Sequence, residues 1–583
     1  MPRFCLLLSC IGLFALPAQS LFAQTAPAES PAANFTLNVR TAVEDVVVMD
    51  KSGHAVPGLR REDFQVFENG KPQAINFFEP NFAATETKAT PSGLPAALPA
   101  GTFINTPAAP ANNVTNVLLL DALSTRSTEQ MYAQVLMVQY LASLPPNLRI
   151  GVFTLDSEGL HMLWGFDQDS SALRAEIAKF AAKHPRSSST PTTAQKEAER
   201  QELAETTEGV RQAAKSTNDD RLGQSADALQ RFVKYGTGIQ DKYGNFGTTS
   251  IALQALAHYL AGIPGRKNLF WLVRDFPVCH FDCGFFDEFR NTRNILAAAG
   301  VSVYPIDADG VTADGRETFG IGGPPAISGR FIDSEIWAEE TGGKAYHEND
   351  IHREIADAVD HGSRYYTLAY VPSDRREEGR ERKVEVKVLS GDYKIFYRKR
   401  YFEQTPREIA KANAATARSP LLTLMGRGMP NISELPYRLK VVPAGPQPDA
   451  GAPRAGENAQ LTGKVTRYSV GFQLQASGLA LEPDEEGARR MSLEVMLMVY
   501  GQEGKPLNWE SRNVNLLIKP EQWARAGTEG VSFHFEIDAP PGDFYLRTGV
   551  YDASQSRIGT LEIPLSAVAI ATVKQCKGEQ VKK

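Results

Sequence analysis

Apolar and polar positions along this chain fall into three successive patterns. In the first, short apolar-rich runs at 46–49, 64–67 and 74–78 are punctuated by Lys51-Ser52-Gly53, Gly58 and Asn69-Gly70. Such runs bounded by turn formers predict strands, and Asn69-Gly70 between two of them predicts a hairpin. A small β-domain over residues 35–81 is the expectation. Residues 82–113 then fill with Ala, Pro, Thr and Gly and lose all periodicity, which predicts a linker.

The second pattern, over residues 114–403, alternates continuous apolar runs with helical stripes. Residues 114–120, 149–155, 268–273 and 301–306 predict buried strands, and 160–164 an edge strand. Met131, Val135 and Val138 mark one helix, and Leu253, Leu256, Ala257 and Leu260 mark another. Residues 171–182 and 286–299 predict two more. Strands spaced by helices predict an α/β, doubly wound, parallel sheet. The runs at 364–371 and 383–388 lack an intervening helix and are expected to pair antiparallel at an edge. A polar insertion, 184–245, interrupts the pattern, and its charge run reads as a solvated face. After a helical linker at 404–429, residues 430–572 show the third pattern. Short alternating strands with turns between them predict an immunoglobulin- or fibronectin-like β-sandwich.

At 583 residues the chain exceeds one hydrophobic core, so several domains are expected. A net charge of −6 offers no field for nucleic acid. Arg3, the apolar run 4–16 and small residues up to Ala23 predict a signal peptide at 1–23 and an exported chain, in the periplasm, at the cell surface or outside the cell. No transmembrane segment beyond the signal peptide is expected. Cys279 and Cys283 are close enough in sequence for a disulfide in an oxidising compartment, and two free thiols are the alternative. Cys279-His280-Phe281-Asp282-Cys283 lacks a zinc-site spacing. His347, His352 and His361 share no helical face well and are expected to be packing or exposed side chains.

Candidate chemistry centres on Val114-Thr-Asn-Val-Leu-Leu-Leu-Asp121-Ala-Leu-Ser-Thr125, a buried strand run that ends in a carboxylate. Open α/β sheets bind ligands outside the carboxyl ends of their strands, which is where Asp121 is expected. Further blocks flank it: Val46-Val-Val-Met-Asp50, Glu62-Asp-Phe64, Val66-Phe-Glu68-Asn-Gly70, Ala338-Glu-Glu-Thr341-Gly-Gly343-Lys-Ala-Tyr346 and Tyr365-Tyr-Thr-Leu-Ala-Tyr370-Val-Pro372. In this order, over residues 35–403, they resemble the von Willebrand factor A-related proteins of acidobacterial type. Many domains of that kind hold Mg²⁺ through an Asp-x-Ser-x-Ser loop plus a later Thr and Asp. The resemblance therefore implies a degenerate Mg²⁺ or Mn²⁺ site at Asp121, Thr125, Thr248 and Asp275. Leu123 stands where the first hydroxyl belongs, and Thr249 is as good a candidate as Thr248. The residues alone also allow a purely structural reading, in which Asp121 accepts loop N–H groups, Thr248 or Thr249 caps a helix, and Asp275 is a loop acid.

No Gly-x-Ser-x-Gly elbow, phosphate-binding loop or dinucleotide fingerprint occurs, so no enzymatic activity is expected. The expected function is protein binding, for adhesion or assembly, through the von Willebrand factor A-like domain. A hydrolase using Asp121, Asp275 and His280 and a purely structural scaffold are the alternatives.

Overall fold

The computed structural model describes residues 41–82, 98–105, 114–123, 138, 141, 150–156, 159–166, 171–183, 193–217, 219–235, 242–273, 286–307, 329–347, 351–374, 381–402, 419–444, 454–458, 460–474, 486–502, 504–553 and 555–568. Strands β1 (Ala42–Met49), β2 (Phe64–Glu68), β3 (Lys71–Gln73), β4 (Ile75–Asn81) and β5 (Thr102–Ile104) come first. Next are β6 (Val114–Asp121), β7 (Ile150–Asp156) and β8 (Gly159–Trp164), then helices α1 (Ser171–Lys183), α2 (Thr193–Thr217), α3 (Asp220–Tyr235) and α4 (Lys242–Ala261). The central region continues with β9 (Arg266–Val273), α5 (Phe286–Ala298), β10 (Val301–Asp307), α6 (Gly329–Thr341) and α7 (Ile351–Ser363). It is followed by β11 (Tyr365–Tyr370), β12 (Glu381–Val388), β13 (Lys394–Phe396) and β14 (Arg400–Phe402). The last part comprises α8 (Pro420–Leu424), β15 (Tyr437–Pro443), β16 (Thr466–Leu474), β17 (Arg489–Tyr500), β18 (Pro506–Ile518), α9 (Pro520–Glu529), β19 (Val531–Ala539), β20 (Tyr545–Asp552) and β21 (Arg557–Pro564). No described helix is long and apolar enough to cross a membrane.

The central sheet has the order β10-β9-β6-β7-β8, parallel except for β8. Its strands are apolar on both faces because helices cover both. Leu118 and Leu120 face a core shared with Ile177, Leu203, Phe232 and Ala358, whereas Val117 and Leu119 face Leu253, Leu256, Phe289 and Trp337. The region expected to be a solvated polar insertion thus differs from that reading. Leu203, Val210, Leu222, Leu229 and Phe232, on α2 and α3, are buried in the core, and the charges occupy the outer faces. The Thr341-Gly-Gly343 block gains a physical reason as well. Gly342 has φ +81°, and a Cβ on Gly343 would lie 1.8 Å from the Val303 carbonyl oxygen, so the chain passes against β10 only without side chains there.

Residues 35–81 do not stand as a β-domain by themselves, and β11 and β12 do not pair with the central sheet. β11 pairs with β1 and β4, and β12 pairs with β2. The resulting four-stranded sheets, β13-β1-β11-β4 and β14-β12-β2-β3, enclose Val46, Val48, Phe64, Val66, Tyr366, Leu368 and Val384. Glu68 fastens together the two segments of the chain that form this first sandwich. Its Oε1 accepts from Arg382 Nη1 at 2.6 Å, and its Oε2 accepts from Tyr370 and Tyr401 hydroxyls at 3.1 and 2.6 Å. The α/β region is therefore inserted in the sequence of a β-sandwich.

A second sandwich faces sheet β19-β16-β15-β5 against β18-β17-β20-β21. Here the stretch expected to be a linker supplies β5, which pairs with β15. Buried Asn105 follows it, donating to the Ile432 and Leu435 carbonyls at 2.8 and 3.0 Å and accepting from Tyr437 N at 2.8 Å. Leu421, Leu424, Met425, Ile432 and Tyr551 join the core on the Val117 face of the central sheet. A Cβ on Gly262, in the turn after α4, would come 2.1 Å from Ser433 Oγ. This close approach, with the 2.8 Å His258–Glu434 contact beside it, binds the α/β region to the second sandwich.

Candidate functional site

Asp121 ends β6 at the carboxyl edge of the central sheet and is fully buried. The backbone continues the edge, with Ala122 N donating to the Leu155 carbonyl at 3.1 Å. Both oxygens of its carboxylate are engaged: Oδ1 accepts from Leu123 N at 2.9 Å, and Oδ2 accepts from Trp271 Nε1 at 3.0 Å. Trp271 is itself fixed by an edge-on Trp337 at 5.3 Å, which Phe289 meets edge-on at 5.7 Å. Leu123, 2% exposed, points into the same core. Its appearance in place of a hydroxyl ligand thus has a packing reason.

Thr248 and Thr249 do not precede the amphipathic helix; they lie inside α4, which starts at Lys242. An N-cap role is thereby excluded for both. Thr248 is half-buried, and Thr249 is fully buried with no hydrogen-bond partner for its hydroxyl among the described residues. Ser250 meets Thr292 Oγ1 at 2.7 Å, and Gln254 Nε2 donates to the same Thr292 oxygen at 2.9 Å, which stitches α4 to α5. Burial raises the Glu288 carboxyl above its ordinary range, opposed by a hydrogen bond from Ser250. Thr125, Asp275, Cys279, His280 and Cys283 lie outside the described residues, as do residues 1–23 and 403–418.

One observation bears on a divalent cation at Asp121. Mg²⁺ dehydrates reluctantly and keeps several waters, which a carboxylate with no exposure and two protein donors leaves no room for. Among the described residues, no group of three or more His, Cys, Asp or Glu could hold a metal ion. Of the expected set, Asp121 and Thr248 are the described members, and Asp121 holds its carboxylate oxygens on Leu123 N and Trp271 Nε1.

Two charged clusters have no motif in the sequence. At the carboxyl end of β7, buried Asp156 lies 3.5 Å from His161 Nε2, and Arg231 Nη1 lies 3.4 Å from Nδ1 of the same ring. At the opposite, amino end of the sheet, Arg266 and Lys267 open β9 and are 1% and 5% exposed. Two cations directly before the apolar run 268–273 were the available signal, since buried strands seldom begin with charge.

No protein-family model matches this chain, and no curated protein matches it. Among solved structures, the crystal structure of the TFIIH p34 N-terminal domain is similar at 8% identity and a TM-score of 0.17, over 42% of this chain and 94% of that one. A score so low carries no argument about function, and the architecture stands on its own sheets: several domains of mixed α and β structure.

Proposed function

We propose that this chain is an exported, non-enzymatic protein-binding protein whose central sheet is von Willebrand factor A-like and whose last sandwich is immunoglobulin-like. In this reading it engages its partner without a divalent cation at Asp121. The observation that carries the metal-independent part is the closed carboxylate: both Asp121 oxygens are committed to Trp271 and Leu123 inside the core. A carboxylate so held orders the β6 edge and is unsuited to presenting a cation or moving a proton. The interleaved chain supports a binding role, because a rigid frame loses little freedom on association. Strands from residues 41–82 and 365–402 close one sandwich, and β5 closes the edge of the other.

Affinity capture from envelope extracts of the source cells, in parallel buffers with Mg²⁺ and with EDTA, tests this reading. One specific partner recovered equally in both is the expected result. Recovery only with the cation, or turnover of ester, peptide or glycoside substrates by the purified chain, would contradict it.

A further inference from the structure

A cavity of about 770 Å³ opens at the amino end of the central sheet, where β9 and β10 meet β1, β11 and β14 of the first sandwich. Its volume is that of a small-molecule pocket. Its lining is charged, and the charges are not all matched. Arg398 Nη2 donates to Glu44 Oε1 at 2.7 Å and to the Val43 carbonyl at 3.2 Å. Arg266 is spent on Tyr304 OH, the Gly342 carbonyl and Asn268 Oδ1 at 3.1, 3.0 and 3.2 Å, with Asp45 Oδ2 3.8 Å away. Asp45 Oδ1 accepts from the Thr367 hydroxyl at 2.9 Å. Lys267 differs from the other two cations. Its Nζ makes one hydrogen bond, to the Ala299 carbonyl at 2.9 Å, and among the described residues it forms no ion pair.

An ammonium 5% exposed with two donors unspent is costly unless an anion meets it. Beside it, Val43 is 50% exposed on the cavity wall, with Ala297 and Ala298 also lining the space. We infer that this cavity binds a small organic monocarboxylate, its carboxylate on Lys267 Nζ and its apolar body against Val43 and Ala298. One unmatched cation calls for one negative charge. A dianion such as phosphate would set its second charge against Asp45 and Glu44, with Glu79 exposed at the rim.

Burial draws Lys267 down to about 8, with Asp45 holding it up in part. The amine is therefore charged at neutral pH and loses its proton just above it. The other groups around the cavity are Glu44, Asp45, Glu79, Arg266, Arg398, Tyr365 and Tyr401. Burial holds the Tyr365 phenol above its ordinary range, so it keeps its proton where Lys267 titrates.

Benzoate is a suitable probe, and calorimetric titration of the full chain at pH 7 is the experiment. Saturable one-site binding is expected, weakened at least about tenfold in Lys267→Met, as loss of a charge-assisted hydrogen bond requires. Binding is also expected to weaken between pH 7 and pH 9, and inorganic phosphate is expected not to compete. Absent or unsaturable binding, equal binding by Lys267→Met, or displacement by phosphate would overturn the inference. Should Lys267→Met fail to fold, wild-type chain treated with acetic anhydride at pH 8.5 decides the matter. Protection of Lys267 by benzoate, read by peptide mass analysis, is the result expected, and acetylation unaffected by benzoate overturns it.

Discussion

Between pH 6.5 and pH 4.5, the wild-type chain is expected to lose about 2 kcal/mol more stability than a His361→Phe variant. His361, on α7, is 3% exposed. Its ring meets Phe396 edge-on at 4.5 Å, and its Nδ1 lies 3.3 Å from the Tyr304 hydroxyl. Burial, then the charges of Arg266 and Lys344, pushes the imidazole down from 6.5 to about 3. The unfolded chain thus binds a proton at His361 that the folded chain refuses. A group depressed in this way contributes its stability in full above 6.5 and loses it progressively as pH falls toward 3, at about 1.4 kcal/mol per pH unit. Phenylalanine keeps the packing against Phe396 and cannot titrate. Chemical denaturation of both proteins at stepped pH measures the difference, and parallel curves would show that His361 does not stay neutral in the fold.

The second large effect is expected at Arg547, where substitution by Met should destabilise the chain by about 3–5 kcal/mol. This guanidinium on β20 is fully buried and serves as a hub for the segment that enters the second sandwich. It donates to the Leu424, Met429 and Pro430 carbonyls at 3.0, 2.8 and 3.0 Å and to Thr560 Oγ1 at 3.3 Å. Glu562 Oε2 sits 3.4 Å away. Met fills much of the same space, yet it removes a donor from three carbonyls, leaving Pro430 only the Thr560 hydroxyl at 3.4 Å, and leaves a nearly buried carboxylate without its cation. Since Leu421, Leu424 and Met425 belong to the core of the central sheet, loosening this segment also weakens the join to the α/β region. Urea unfolding of Arg547→Met is the measurement. A loss within about 0.5 kcal/mol, the range of ordinary surface substitutions, would contradict the hub.

Much of the element content was legible in the sequence, because local periodicity reports local structure. The run ending in Asp121, the strands at 268–273 and 301–306 and the helix starting at Phe286 fall on β6, β9, β10 and α5. Leu160 to Trp164 is an edge strand, because β8 turns back antiparallel on β7 at the end of the sheet. Pairing was not legible. Ala42 opposite Tyr370, and Val384 opposite Glu68, join residues some three hundred positions apart, and alternation within a strand does not name its partner. β5 was hidden for a different reason: three residues amid Ala, Pro and Thr carry no period, and their place is set by Asn105 against Ile432, Leu435 and Tyr437. The amphipathic faces of α2 and α3 were masked by the density of charge on their outer sides.

The candidate site was legible in part. Hydrophobic patterning put Asp121 at the carboxyl end of a strand, where β6 ends. What the carboxylate does there depends on Trp271, a residue of the neighbouring strand that looks in the sequence like any other core position. Thr248 was misplaced because the helix begins at Lys242, before the apolar stripe that signalled it. The Lys267 cavity was unreadable, since its walls come from both ends of the first sandwich and from the central sheet.

Calorimetric titration of the purified chain with Mg²⁺ and Mn²⁺, beside Asp121→Ala, tests metal-independence most directly, with a melting curve for each protein. The expected result is no saturable binding that depends on Asp121, together with a variant destabilised by about 2–4 kcal/mol for the loss of two buried hydrogen bonds. Saturable binding that Asp121→Ala abolishes, with stability unchanged in the absence of the ion, would contradict the proposal and make Asp121 a metal ligand.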